Sequence, residues 1–346
     1  MDKEYIGIFT ANRRSYLRNG VFDPKNQDEW TPIIVYLKRY LRQKNIELNT
    51  LDIPTEKPIF KYIYIDLPYI WQHWNLPIWK TILLNRERNI LICHESPIII
   101  PYNYWKILHY FFAKIYTWND DLVDNIRYFK IHLPQHSVGN KITAKKFNNK
   151  KFLILINANK SSFLPFRLLS QFGKELYSER IKALEFFEHT IPNDFSLLGR
   201  GWNKPKKYNI TELFLGYKKY HTYKGEVKIK DKLELLSNFK YCICFENLTD
   251  AKGYITEKIF HCFQAKCVPI YWGASNIEKY IPKNCFIDFR DFGDCEKLLN
   301  FIASIDEKRY NRYIKNIEKL LSDKKFVDTW FEKGFAKFFV KDILEI

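Results

Sequence analysis

The chain has 346 residues and carries 56 Lys plus Arg against 39 Asp plus Glu, a formal net charge of +17. With 46% hydrophobic and 17% aromatic residues it can bury a large core, which excludes disorder for most of its length, and that length suits two domains of ordinary size. The cation excess points to an anionic partner, and composition does not separate nucleic acid, a membrane surface and a phosphorylated small molecule.

The opening stretch MDKEYIGIFTANRR lacks the basic-then-apolar layout of a signal peptide. No run approaches the ~20 apolar residues of a membrane helix; the nearest, Ser96 to Trp118, is interrupted by two prolines, Asn103, Lys106, His109 and Lys114. Tyr5–Phe9 reads as a strand. A helix follows over residues 30–45, with Ile33, Ile34, Leu37, Tyr40 and Leu41 on one face. YIYID (62–66) and NILICHE (89–95) read as strands, separated by a helix over 78–88; a further helix is expected over 102–115. This alternation argues for an α/β domain with a mostly parallel sheet.

Residues 134–151 turn polar and form the best candidate for an inter-domain linker. A second alternating series then runs through strand 152–159, helix 174–189, and a short strand at 195–199 ending in the turn GRGW. It continues through strand 239–245, helix 256–265, and strands at 267–273 and 285–289. From about Asp306 the chain reads as helical. Seven cysteines, an odd number without a C-x-x-C pair, sit mostly in apolar runs, which predicts free buried thiols and no zinc site. Neither G-x-G-x-x-G nor G-x-x-x-x-G-K-[ST] occurs, which lowers the prior for a nicotinamide enzyme or a P-loop NTPase.

The chemistry concentrates between Phe245 and Gly273, FENLTDAKGYITEKIFHCFQAKCVPIYWG. A buried strand releases Glu246 and Asn247 at its carboxyl end, the edge where ligands sit in open parallel sheets. Thr256 can cap the next helix, whose first turn holds Glu257 and Lys258. A lysine there is poorly placed for helix stability and well placed to hold a phosphate beside free backbone N–H groups. On local rules alone a solvated surface lysine is the simpler reading.

This stretch resembles the signature of the α1,3-fucosyltransferases of glycosyltransferase family ten, bacterial type: CICFENL, YITEK and VPIYWG recur in the family's order over about 30 residues. Weaker resemblance covers ELYSERIKALEFFEHT…FSLLGRGW and NILICHESPIIIPYNY. Leu248 departs from the family's small hydroxyl residue, and His261–Cys262 stands where Asp-Ala is common.

The resemblance implies a GT-B architecture of two Rossmann-like α/β domains facing across a cleft. An acceptor-binding domain over 1–145 would precede a GDP-fucose-binding domain over 146–325, with 326–346 crossing back. It implies an inverting α1,3-fucosyltransferase acting on a GlcNAc-type hydroxyl, with Glu95 as general base. Arg180 and Lys258 would meet the donor diphosphate. Asn247, Tyr254 and Glu257 would bind the donor, as would Tyr223 and Lys224 at the position of a mobile loop. No D-x-D triplet follows a strand, so no cofactor is required beyond the donor GDP-fucose, and a divalent metal would at most stimulate.

Two other readings compete: a GT-B enzyme with another nucleotide sugar, and a basic nucleic-acid-binding protein with aromatic stacking platforms. The signature argues against the first. The second lacks a recognisable motif, so no nucleic-acid partner is expected. Without an anchor or a disulfide framework, the enzyme is expected in the cytosol, peripheral at the inner membrane face, acting on lipid-linked glycans such as lipopolysaccharide with Lewis-type linkages. The basic, aromatic Lys324–Ile346 reads as a packed interdomain helix first and as a lipid contact second.

Overall fold

A computed structural model describes residues 4–10, 13–26, 28–137, 142–143, 145–160, 173–205 and 217–346. The chain forms two compact units. Of the described residues, the first takes those up to Ser137 together with Val327–Ile346, and the second takes those from 142 to Phe326.

The first unit is built on a parallel sheet of β1 (Glu4–Thr10), β2 (Ile46–Thr50), β3 (Lys61–Ile65), β4 (Asn89–Cys93), β5 (Lys114–Thr117) and β6 (Tyr128–Lys130), in the order β2-β1-β3-β4-β5-β6. Its central strands are apolar on both faces, as parallel strands covered on both sides must be. The connection through α1 (Thr31–Gln43) moves toward one edge. Those through α2 (Leu76–Leu84) and α3 (Lys106–His109) move toward the other. Right-handed crossovers therefore set α1 on one face and α2 and α3 on the opposite face. On the first face Ile33, Ile34, Leu37 and Leu41 of α1 pack with Ile8, Ile63 and Ile90, and the C-terminal helix α10 (Glu332–Phe338) adds Phe335 and Ala336. On the other, Tyr64 meets the Phe112 ring edge-on.

The second unit carries β7 (Lys151–Ile156), β9 (Phe195–Leu198), β10 (Phe239–Phe245), β12 (Val268–Trp272) and β13 (Ile287–Asp288) in the parallel order β13-β12-β10-β7-β9. The two-residue strands β8 (Lys174–Glu175) and β11 (Leu248–Thr249) pair antiparallel. Its helices are α4 (Tyr177–Thr190), α5 (Ile229–Ser237), α6 (Glu257–Gln264), α7 (Cys295–Ala303) and α8 (Glu307–Ser322). The helix α9 (Lys324–Trp330) then leads to α10. Phe245 lies level with Trp272, and Ile156 with Leu198, so the strands deliver their following residues to one common edge.

Three expectations need correction. The helix over 102–115 is broken into a 3-10 turn at Pro101–Tyr104, the single turn α3 and the strand β5. Tertiary bonds account for the break. The Asn103 side chain turns back to Leu67 N and Asp66, and its carbonyl meets His109 Nε2. The strands β2, β5 and β6 are short and escape the apolar-run criterion. In the polar stretch 134–151, of which 138–141 and 144 lie outside the described residues, Lys150 is no solvated linker residue. Its ammonium is buried and donates to the carbonyls of Ser237, Phe239 and Lys266 at 2.8, 3.3 and 2.8 Å. Burial pushes its pKa down to about 8. All seven cysteines are free thiols and all but Cys295 are buried.

Candidate active site

The carboxyl edge of the second unit's sheet gathers five of the expected site residues. Directly after β10, Glu246 is fully buried. Its carboxylate accepts the Thr256 N–H at 2.8 Å, the Thr256 hydroxyl at 2.7 Å and the Lys258 ammonium at 3.0 Å. Lys258 also donates to the Thr256 hydroxyl oxygen at 2.9 Å, closing a ring. Thr256 does stand at the cap position of α6, but its side chain makes no cap hydrogen bond. The hydroxyl is spent on Glu246, which leaves the first-turn N–H groups without a side-chain cap.

Lys258 is therefore not the free point charge the sequence suggests. Glu246 holds it from one side and Glu257 from the other, at 3.5 Å. Burial pushes the lysine pKa down, but Glu246 first and Glu257 next outweigh it and hold it above the ordinary lysine range. Burial likewise pushes Glu257 up, and Lys258, Lys232 and His261 together hold it well below the usual carboxylate range.

Arg180, in the first turn of α4, has a guanidinium that is 4% exposed. One terminal nitrogen donates to the Phe245 and Glu246 carbonyls at 2.8 and 2.5 Å and to Asn247 Oδ1 at 3.1 Å. Burial lowers its pKa, with Tyr177 and Glu246 acting against that. Its Nε is buried without a hydrogen-bond partner among the described residues. Arg180 is not a solvated helix cation, and the acids nearest to it in sequence are engaged elsewhere. Glu175 accepts from Ser178, and Glu179 pairs with Lys182. The guanidinium instead straps α4 to the end of β10. Asn247 passes the connection on, its amide donating to the Tyr254 hydroxyl at 3.3 Å. Tyr254 is buried, 2% exposed, so its phenol is a structural partner here before it is a ligand contact. Gly273 closes the site from β12: a Cβ there would stand 2.5 Å from Glu246 Cγ and from the Tyr271 hydroxyl.

Tyr223 and Lys224 sit at the end of β9, two strands away from β10 in the sheet. The Tyr223 hydroxyl donates to the Gly199 carbonyl at 3.1 Å, and the Lys224 N–H donates to Leu197 at 2.9 Å. The GRGW turn owes its shape to Gly199, whose φ of +131 and close approach to the Asn157 carbonyl exclude a side chain.

Glu95 belongs to the first unit. It lies two residues beyond β4, half-buried, and its backbone is fixed from both sides. Asp66, immediately after β3, accepts the N–H groups of His94 and Glu95 at 2.8 and 2.9 Å and the Asn103 amide at 2.5 Å, all on one oxygen. The Tyr104 hydroxyl donates to the Glu95 carbonyl at 2.5 Å. Asp66 is 1% exposed and has a left-handed φ of 63. Burial chiefly raises its pKa to about 6, opposed by His94 and reinforced by Glu95. Asp66 does not figure among the sequence-derived site residues, and Glu246 figures only as the acid released at its strand's carboxyl end, with no role assigned. The signal available was position, since each is the acid that ends an apolar strand, YIYID and CICFE.

Residues 210–333 match the family model "Glycosyltransferase family 10 (fucosyltransferase) C-term". The alpha-(1,3)-fucosyltransferase FucT of Helicobacter pylori is 36% identical over 86 residues, 25% of this chain and 18% of that protein. The alpha-(1,4)-fucosyltransferase of Arabidopsis thaliana is 34% identical over 92 residues, 26% of this chain and 23% of that protein. The chain thus spans about a fifth of the length of these relatives. Among solved structures, an α1,3-fucosyltransferase with GDP-fucose superposes with a TM-score of 0.53 at 17% identity, over 100% of this chain and 91% of the other. An alpha-glucosyltransferase in complex with UDP and a 13-mer DNA gives 0.61 at 11% identity, over 99% of each chain. These likenesses show the fold, two Rossmann-like units of the GT-B kind. The chain resembles the α1,3-fucosyltransferases of glycosyltransferase family 10, and residues 210–333 carry the match to that family's C-terminal model.

Proposed function

We propose that this protein transfers L-fucose from GDP-fucose to a GlcNAc-type hydroxyl of a glycan acceptor, in α1,3 linkage and with inversion at the anomeric carbon. One observation carries the reading: the stretch that matches the fucosyltransferase model contains the whole Glu246–Asn247–Tyr254–Glu257–Lys258 network. Glu95 takes the acceptor proton as the hydroxyl oxygen attacks the fucose carbon, and the bond from that carbon to the diphosphate oxygen breaks. Lys258 and the uncapped first turn of α6 meet the charge that grows on the departing GDP. Glu246 and Arg180 act one step back, fixing Lys258 and the β10 end. Glu257 binds donor hydroxyls, and Tyr223 and Lys224 flank the donor. The acceptor is a lipid-linked glycan met in the cytosol.

A second reading, a GT-B enzyme that takes a UDP-sugar and modifies DNA, draws on the likeness to a glucosyltransferase bound to UDP and DNA and on the net charge of +17. Thermal unfolding separates the two. GDP raises the midpoint by several degrees, while UDP and duplex DNA leave it nearly unchanged. Equal protection by UDP overturns the donor assignment.

A further inference from the structure

The face of the first unit that carries α2 and α3 exposes large apolar side chains where α1's face buries its own. Leu84 is 70% exposed, Ile107 77% and Trp71 56%, with Leu76, Leu83 and Tyr110 also largely in water. These residues come from three segments that touch one another. Trp71 meets the Tyr102 ring edge-on at 6.5 Å, and Tyr102 meets Trp105 at 6.2 Å. The Arg86 guanidinium lies over the Tyr110 ring at 3.9 Å, and the Asn89 amide donates to the Ile82 and Phe111 carbonyls at 2.7 and 3.0 Å. These contacts, which run in part through the buried Tyr102 and Asn89, hold the segments side by side, so their exposed side chains lie on one side of the unit, and such an apolar cluster calls for a partner.

Charge indicates which partner. Lys80, Arg86, Arg88 and Lys106 are exposed among these side chains, and Glu87 is the one acid within residues 70–88 and 105–110. Apolar side chains ringed by cations, with two tryptophans in the set, match the chemistry of an anionic bilayer surface: acyl chains below, phosphate at headgroup level, and indole between them. A protein partner of ordinary composition would instead find few carboxylates or carbonyl-seeking donors matched by acids on this face. No helix among the described residues is long and apolar enough to cross a membrane, so the contact is peripheral. We infer that the α2–α3 face docks on an anionic lipid surface, with Leu84, Ile107 and Trp71 entering the acyl boundary and Lys80 and Lys106 meeting lipid phosphates. This inference is independent of which sugar the protein transfers.

The test is co-sedimentation of the full chain with vesicles, either phosphatidylcholine alone or an equal mixture with phosphatidylglycerol. The wild type binds the mixed vesicles, and binding weakens as salt rises. Leu84→Ser combined with Ile107→Ser lowers the affinity by about tenfold or more, and so does Lys80→Glu combined with Lys106→Glu. All four side chains are exposed, and an unaltered unfolding midpoint certifies each fold; if the serine variant fails to fold, the charge variant decides. Unchanged vesicle binding by a folded variant overturns the inference. So does a wild type that binds neither vesicle, and so does a dimer in light scattering that the variants abolish without any vesicle binding.

Discussion

At the end of an apolar strand, Asp66 is a carboxylate that the fold removes from water. Asp66 is fully buried and faces His94, Glu95 and three N–H donors; burial dominates and its pKa rises from 3.8 to about 6. The folded state therefore binds this proton more readily than the unfolded state. The stability that comes with protonation is complete below about pH 4 and is lost as pH rises through 6. Asp66→Asn keeps the accepting Oδ1 and cannot ionise. Its stability advantage over wild type should grow between pH 4 and 7, by at most about 3 kcal/mol. Denaturant unfolding of both proteins at several pH values checks this, and parallel curves would remove the assignment. Glu95→Gln addresses the reaction itself. It should retain GDP-fucose binding by calorimetry and lose at least about a hundredfold in turnover, so substantial remaining turnover would remove Glu95 as the base. The place of Glu95 just beyond a strand was legible because NILIC reads as an apolar run, whereas its role as base rests on the resemblance. The role of Arg180 was not legible, because its partners are carbonyls about 65 residues downstream, which no local pattern encodes.

At the scale of elements, the segment from β10 through α6 to β12 is the most legible part of the molecule. Parallel strands buried on both faces read as continuous apolar runs, and their ends then mark the functional edge. The helix over 102–115 failed because amphipathic spacing records only a preference. The Asn103 side chain turns away to the Leu67 N–H, the His109 ring meets the Asn103 carbonyl and the Arg127 guanidinium donates to the His109 carbonyl, all outside any helix ladder. Gly273 shows how little slack the legible part has. Gly273→Ala would press on a carboxylate that already holds a cap residue and a lysine. We expect a loss of about 1–3 kcal/mol in stability and weaker GDP binding, read by thermal unfolding with and without the nucleotide. Wild-type behaviour in both would show that Glu246 can move freely.

At the scale of the whole molecule, the first unit is discontinuous. Phe335, Phe339, Val340, Ile343 and Leu344 are buried in the same core as α1. Five such side chains are worth about 10 kcal/mol of burial, comparable with the entire stability of a domain. Removing residues 331–346 should therefore make the first unit digestible by protease while the second unit persists as a resistant fragment; equal resistance of both would contradict the packing. The segment that ends at Ser137 and the one that resumes at Val327 are tied together within the first unit. The Gln135 N–H donates to the Trp330 carbonyl at 2.7 Å, the Glu332 N–H donates to Gln135 at 3.0 Å, and the Ser137 hydroxyl donates to Glu332 at 2.8 Å.

That tie sets a timetable for synthesis. The apolar face of α1 is complete once Gln43 has emerged and the sheet residues Ile63 and Ile90 follow soon after, yet the last part of that core arrives only with Phe335. At a ribosomal pace of about 5–20 residues per second, the wait is about 15–60 s. During that interval the second unit is finished and can close. The unit begun first is thus the last to be completed, and the part of its core that Phe335, Phe339 and Ile343 fill spends the interval as a surface that a nascent-chain chaperone would hold.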